Sequence, residues 1–296
     1  MAHDFTTDGS EVDGSEETSA VEAPNFQHFL LTRFNVRMPW KEKHWGADPA
    51  WCLERLALFE KFALPSITNQ VESGFKWLVF FDDTYTPAPV IEAVAKWTER
   101  CPPLTPVFMD LFTGERLCDI IREHTAADTK VIVTTRLDTD DAMTPDFMQR
   151  IREYVLDHPH FHGFINCDLG YCYHGGKTYL YKDRANMFFS CVALCRGTDF
   201  DTAHHFNHSK ISENGNVVHF ADRPMFLLVN HDQNISARGV HGKWRVPKSR
   251  VIERLKIQLQ GAEEALLQVY MDNAIYTIKR PLIPLVRLLR THQDLQ

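Results

Sequence analysis

The stretch Lys130-Val131-Ile132-Val133-Thr134-Thr135-Arg136-Leu137 runs without a spacer into Asp138-Thr139-Asp140-Asp141. Its first part is β-branched and apolar, the composition of a strand buried on both faces. Three carboxylates close it, and Pro145 to Asp157 then repeats apolar residues at helical spacing. A buried strand that ends in a polar turn and hands over to a helix is the building unit of a parallel α/β sheet.

The same unit recurs upstream. Phe26 to Phe34 (FQHFLLTRF), Lys76 to Phe81 (KWLVFF) and Thr105 to Leu111 read as strands. Pro49 to Gln70, with Asp48 as its N-cap, Pro89 to Arg100 and Thr113 to Thr125 read as the helices between them. This order implies right-handed crossovers and a mostly parallel sheet flanked by helices, with a ligand crevice beyond the carboxyl ends of the strands. Arg33, Asp82-Asp83 and Asp138-Thr139-Asp140 all fall at such ends.

The second half changes character. Phe161 to Tyr173, Lys177 to Tyr181 and Met187 to Cys195 are strand-like, with a turn at Gly175-Gly176. Residues 198 to 224 are polar, carry His204, His205, His208 and His219, and read as loops around a site. Met225 to Val229 reads as a last strand, ending in Asn230-His231-Asp232, and residues 248 to 274 as helical. The expected organisation is a disordered acidic tail over 1–24, a mixed α/β domain over 25–245 and a helical extension over 246–296.

Composition narrows the partners. Of 296 residues 44% are apolar, 20 of them Phe, enough for a large core. No apolar run of about eighteen residues appears, so a membrane-crossing helix is not expected. No basic-then-apolar leader opens the chain either, which points to the cytoplasm. The seven cysteines show no CxxC pair and read as reduced, mostly buried thiols. The net charge of −7 equals the seven acids of residues 1–24, leaving a neutral body that is a poor match for nucleic acid.

Acids packed at a strand end repel unless a cation neutralises them. Asp138 and Asp140 are hard oxygen donors of the kind that hold Mg²⁺ or Mn²⁺ together with substrate phosphates; the competing reading is a solvated acidic turn or helix cap. His231 is the candidate third metal ligand. Arg33 and Arg136 suit diphosphate oxygens. Asp82 and Asp83 suit a ribose hydroxyl or a base imide, or else a local Asx turn. Arg55 reads as helix surface or a structural ion pair.

Taken together, TRFNV (Thr32 to Val36), RLALFEKFALPSITNQ (Arg55 to Gln70), FKWLVFFDD (Phe75 to Asp83), TTRLDTDDAM (Thr134 to Met143) and NHDQNIS (Asn230 to Ser236) resemble the putative rhamnosyltransferase family, a bacterial group of GT-A-like glycosyltransferases. The resemblance spans about residues 26 to 240. It implies a GT-A-like fold, a nucleotide-diphospho-sugar donor, Mn²⁺ or Mg²⁺ held on Asp138 and Asp140, and transfer to an acceptor hydroxyl of a polysaccharide or glycolipid precursor. If the reaction inverts the anomeric centre, a general base is needed; Asp222 is the first candidate, with Asp168 and the clustered histidines as rivals. The stretch Ile275 to Arg290 offers a peripheral contact with an anionic membrane surface, or else packs on the domain. The other classes weighed are a non-catalytic carbohydrate- or nucleotide-binding protein and a phosphatase of the haloacid dehalogenase type. The latter fits poorly, since Ala142 stands where that chemistry places Thr or Val.

Overall fold

In the computed structural model, which describes residues 25–195, 200–231, 244–261 and 265–279, the first strand becomes an inner strand of the main sheet. The elements in chain order are β1 (Phe26–Arg33), α1 (Pro49–Lys61), α2 (Ala63–Thr68), β2 (Phe75–Asp82), α3 (Ala88–Arg100), β3 (Leu104–Met109), α4 (Gly114–Glu123), β4 (Val131–Arg136), β5 (Ala142–Met143) and α5 (Phe147–Asp157). They continue as β6 (Gly163–Cys167), β7 (Leu169–His174), β8 (Lys177–Lys182), β9 (Phe189–Leu194), α6 (Ile211–Asn214), β10 (Val217–Phe220), β11 (Phe226–Asn230), α7 (Lys248–Leu255) and α8 (Leu266–Lys279).

The main sheet has the order β10-β6-β9-β4-β1-β2-β3. Within it β9 runs antiparallel to both neighbours, and every other pairing is parallel. The carboxyl ends of β1, β2, β4, β6 and β10 therefore share one edge. The period-2 alternation of β1 puts Leu30 into the core on one face and Phe29 and Leu31 into that on the other. Burial on both sides is what the unbroken apolar runs of β1, β2 and β4 imply. The α/β architecture expected from the sequence is the one observed.

Four local readings change. Pro49 to Gln70 is two helices, because Pro65 has no N–H for the Lys61 carbonyl; the break falls at Phe62, with φ −119° and ψ −66°. Asp48 caps the first as expected, accepting from Ala50 N at 2.9 Å. The run Phe161 to Tyr173 divides at Asp168 into β6, in the main sheet, and β7, in a second sheet ordered β5-β11-β7-β8. Residues 198 to 224 are not all loop: Val217–Phe220 pairs parallel to β6. The helical region 248 to 274 is interrupted at Lys256, which takes the left-handed conformation, φ 56°.

Gly175 and Gly176 do form the β7–β8 turn, both with positive φ. All seven cysteines are free and six are buried. No helix among the described residues is long and apolar enough to cross a membrane. The acidic tail and the end of the chain beyond Lys279 lie outside the described residues.

Candidate functional site

At the carboxyl edge of the main sheet, the segment after β1 folds over the turn after β4 and leaves a cleft of about 230 Å³. Arg33, Asn35, Met38, Lys43, His44, Trp45, Trp51, Arg55 and Asp138 to Asp141 line it. The expected residues Arg33, Asp138 and Asp140 are thus brought together by the ends of two adjacent parallel strands.

The three acids after β4 have three different fates. Asp138 is partly exposed and lies 3.5 Å from Arg136 Nη2. Asp140 is buried, and its Oδ2 takes two bonds at 2.8 Å, one from Arg55 Nη1 and one shared with His231 Nε2. Burial raises its carboxyl pKa, but the bonds and charges of His231 and Arg55 outweigh this and hold it below the usual carboxylate range. Asp141 borders the cleft but accepts from Val229 N at 2.8 Å, which ties the turn to β11. Burial, with Asp140 and Asp138 close by, pushes its carboxyl well above the usual range. Asp141 is therefore part of the frame.

Cations face these acids. Burial and the neighbouring Arg136 lower the Arg33 guanidinium to about 10, so it stays charged at neutral pH. Arg33 Nη1 reaches Met38 Sδ at 3.1 Å and its guanidinium lies over the Phe112 ring. The Nε atoms of Arg55 and Arg136 are buried with no hydrogen-bond partner among the described residues. Buried donors of this kind are normally satisfied, so the cluster suits an incoming anion with several oxygens.

The other wall is built on Asn35. Its Oδ1 accepts from Asp82 N and Thr86 Oγ1, both at 3.1 Å, and its carbonyl lies 3.1 Å from His44 Nε2. Gly46 packs so closely here that an added Cβ would stand 2.1 Å from the Asn35 carbonyl oxygen. Asp82 spends Oδ1 on the N–H groups of Thr84 and Tyr85, at 2.9 and 2.7 Å, forming the Asx turn weighed against its ligand role; its Oδ2 lies 3.5 Å from His44 Nε2. Asp83 is exposed and bonds Thr84 Oγ1 at 3.0 Å. Neither is among the residues lining the cleft.

The two acids considered as bases are also off the cleft lining. Asp222 is exposed and held by Arg150 through two bonds, at 2.8 and 2.5 Å, which lower its pKa. Asp168 is buried at the end of β6, on the same sheet edge as the cleft. Its Oδ1 accepts from Asn166 Nδ2 at 2.7 Å and lies 2.6 Å from His219 Nδ1. Of the clustered histidines, His204 is held well below its usual pKa by burial and by Arg33 and Arg136, and packs edge-on against Phe112.

Arg55 is the cleft residue that the sequence reading placed elsewhere. It is an ion pair, but a buried one that belongs to the site. A usable signal existed: Cys52, Arg55 and Phe59 occupy the buried stripe of α1, and a charge on such a stripe needs a buried partner. Among the described residues no group of three or more His, Cys, Asp or Glu is arranged to hold a metal ion. What Asp138 and Asp140 offer is two carboxylates, one partly exposed and one with Oδ1 not used by Arg55 or His231. That set suits a Mg²⁺ or Mn²⁺ ion whose remaining ligands come from phosphate and water.

A family model described as "Putative rhamnosyl transferase" matches residues 27–243. No curated protein sequence matches the chain significantly. Among solved structures, S. aureus TarS 1-349 aligns at 10% identity over 69% of this chain and 60% of that one, with a TM-score of 0.43. The same fragment in complex with UDP-GlcNAc aligns at 8% identity over 79% and 68%, with a TM-score of 0.44. A putative nucleotide-diphospho-sugar transferase from Desulfovibrio desulfuricans G20 aligns at 11% identity over 71% and 83%, with a TM-score of 0.34. The chain thus spans less than two thirds of the length of the first of these.

Proposed function

The chain belongs to the putative rhamnosyl transferase family, and from that premise we propose that it transfers a sugar from a nucleotide-diphospho-sugar to a hydroxyl of a polysaccharide or glycolipid precursor. The observation that carries the reading is the cleft itself. Buried guanidinium donors without partners stand beside a pair of carboxylates, and a diphosphate with a divalent cation satisfies both at once. In this reading Arg33 and Arg55, which line the cleft, face the diphosphate. Arg136 adds positive charge from behind Asp138, off the lining, and the wall built by Asn35, His44 and Trp45 receives the nucleoside. Rhamnose is the sugar the family's name suggests.

Asp138 and Asp140 would hold the Mg²⁺ or Mn²⁺, with His231 as a third ligand or as the partner that orients Asp140. The ion would supply charge compensation to the departing diphosphate. The arginines add fixed positive charge in a partly desolvated site, where it acts most strongly. Their place is prepared before substrate arrives: Arg55 is fixed by Asp140 and lies over the Trp51 ring at 5.0 Å. An inverting transfer needs a base at the acceptor hydroxyl, and we assign it to Asp168 through His219 ahead of Asp222. Asp168 is buried, with Oδ1 paired to an imidazole and Oδ2 3.6 Å from Arg184 Nε, whereas both oxygens of Asp222 are tied to Arg150 at the surface.

The test is thermal stability in the presence of UDP, dTDP, GDP and their sugar derivatives, with Mn²⁺ and with EDTA. Asp138→Asn is the informative variant, because Asp138 is partly exposed and its replacement leaves the buried Arg55–Asp140 pair intact. The expected result is a metal-dependent rise with one nucleotide that Asp138→Asn abolishes. Absence of any nucleotide-dependent rise, with either metal condition, overturns the donor-site reading.

A further inference from the structure

On the face of the main sheet that α4 covers, β1 and β4 lie side by side with Leu31 opposite Arg136. Residues two apart on a strand share a face, so Arg33 stands beyond Leu31 and Thr134 before Arg136 on this side. The segment 202–204 crosses the same patch. Ala203 N donates to Thr134 Oγ1 at 2.8 Å, and the next residue, His204, hydrogen-bonds the Leu31 backbone. Its ring meets Phe112 edge-on at 5.2 Å, and the Arg33 guanidinium lies over the same Phe112 ring at 5.8 Å. His204 is thus set beside both arginines, behind the cleft and not in its lining.

Nε2 of His204 and Nε of Arg136 are both buried and without a hydrogen-bond partner among the described residues. Burial, with Arg33, Arg136 and His205 close by, holds the His204 ring well below its usual pKa, so the ring is neutral, while the bond to the Leu31 backbone works the other way. A bond that favours protonation is one the ring donates. With Nε2 unpartnered, the donor is Nδ1, and Nε2 is a bare lone pair. The patch therefore holds one unmet acceptor and one unmet donor, where buried polar groups are normally satisfied. Arg136 is also loosely held in front: its Nη2 stands 3.5 Å from Asp138 Oδ1, at the limit of a hydrogen bond.

We propose that His204 is a positioning residue of the donor site: when a diphosphate occupies the cleft, His204 Nε2 accepts a hydrogen bond from the Arg136 guanidinium and fixes that charge behind Asp138. The inference rests on the donor-site reading, since the diphosphate is what draws Arg136 into place. The two unmet groups are satisfied only in the occupied site, so their bond adds to the affinity for the anion and is not spent on the empty protein. A histidine suits the position because it accepts without adding a third positive charge beside Arg33 and Arg136, which Lys or Arg would do. The bond from Nδ1 to the Leu31 backbone fixes which nitrogen keeps the lone pair.

Calorimetric titration of the full chain with inorganic pyrophosphate in Mg²⁺ tests this, because the anion probes the arginines without a nucleoside or a sugar. His204→Phe keeps a ring against Phe112 but removes the lone pair, and should weaken pyrophosphate binding about tenfold. His204→Gln, whose amide oxygen can stand where Nε2 does, should bind as the wild type does. In an Arg136→Gln background His204→Phe should cost nothing further, an outcome that lost packing would not reproduce. Histidine-selective nitrogen NMR of the wild type needs no variant to fold: the His204 Nε2 resonance should move from the lone-pair towards the hydrogen-bonded range as pyrophosphate is added. Wild-type affinity in His204→Phe, equal losses in the Phe and Gln variants, losses that add in the double variant, or an unmoved Nε2 resonance each overturn the inference and leave the donor site standing. No binding of pyrophosphate by the wild type overturns both.

Discussion

The carboxylate of Asp140 receives the guanidinium of Arg55 at 2.8 Å, and both side chains are about nine-tenths buried. Breaking such a pair from one side leaves a charge in a poorly solvated place, at a cost of about 3–5 kcal/mol. Asp140→Ala is therefore expected to lower the urea-unfolding free energy by about 3 kcal/mol, for reasons unrelated to any metal. Replacing both partners, as in Arg55→Met with Asp140→Leu, should recover most of that loss. If Asp140→Ala unfolds at the wild-type midpoint, the pair carries no structural weight.

Gly46 presses on the Asn35 carbonyl, and a Cβ there would approach it to 2.1 Å. Backbone cannot yield as a flexible side chain can, so Gly46→Ala must shift the segment that carries His44 and Trp45. The expected outcome is nucleotide affinity reduced about tenfold or more, equivalent to about 1.4 kcal/mol. The main sheet and its far-UV spectrum should be unchanged. Calorimetric titration of the nucleotide found in the thermal screen checks this; wild-type affinity would remove this wall from the site.

Much of this was legible in the chain because strand ends are written in one dimension. Arg33, Asp82 and Asp138 sit at strand ends by sequence alone, and a parallel sheet must gather such ends on one edge. Pro65 carried the signal for the α1–α2 break, which the single helix expected over Pro49 to Gln70 overlooked. What was hidden depends on distance in space. The division of β6 from β7 at Asp168 follows from partners that come later in the chain: Asp168 N donates to the Phe220 carbonyl at 2.8 Å. Four residues of β10 amid polar neighbours give no periodicity to read. Nor does a run of three acids reveal that Asp141 is tied to Val229 N while Asp138 faces Arg136.

His28 makes a pH prediction. It is buried on β1 with Nε2 2.8 Å from Thr135 Oγ1, and burial, with Arg152 adding to it, lowers its pKa from 6.5 to about 3. The native state keeps the ring neutral, whereas the unfolded chain takes up a proton below pH 6.5. Stability is therefore lost as pH falls from about 6.5 towards 3, and at pH 5 the His28 contribution to that loss is about 2 kcal/mol. His28→Gln should remove this part of the slope in urea titrations between pH 7.5 and 5. An unchanged slope would show that another group governs it.

Asp168 makes the remaining prediction, because two acids compete for the role of base and the geometry separates them. Its Oδ1 lies 2.6 Å from His219 Nδ1, which with a proton on Nδ1 leaves Nε2 as the basic nitrogen of a part-exposed ring. A carboxylate that fixes the tautomer of an imidazole is a recurring way of building a base. With the sugar donor identified, His219→Ala and Asp168→Asn are each expected to lower kcat by about 10²–10⁴-fold while donor affinity holds. Asp222→Asn, which loosens a surface pair with Arg150, should lower kcat by less than about tenfold. His219→Asn separates catalysis from packing: its amide nitrogen stands where Nδ1 does, so it can keep the hydrogen bond to Asp168 and the fold but cannot take up a proton, and stability should recover while kcat does not. Recovery of kcat in His219→Asn would make the pair a structural link between β6 and β10, and a large loss in Asp222→Asn would return the base to the surface loop after β10.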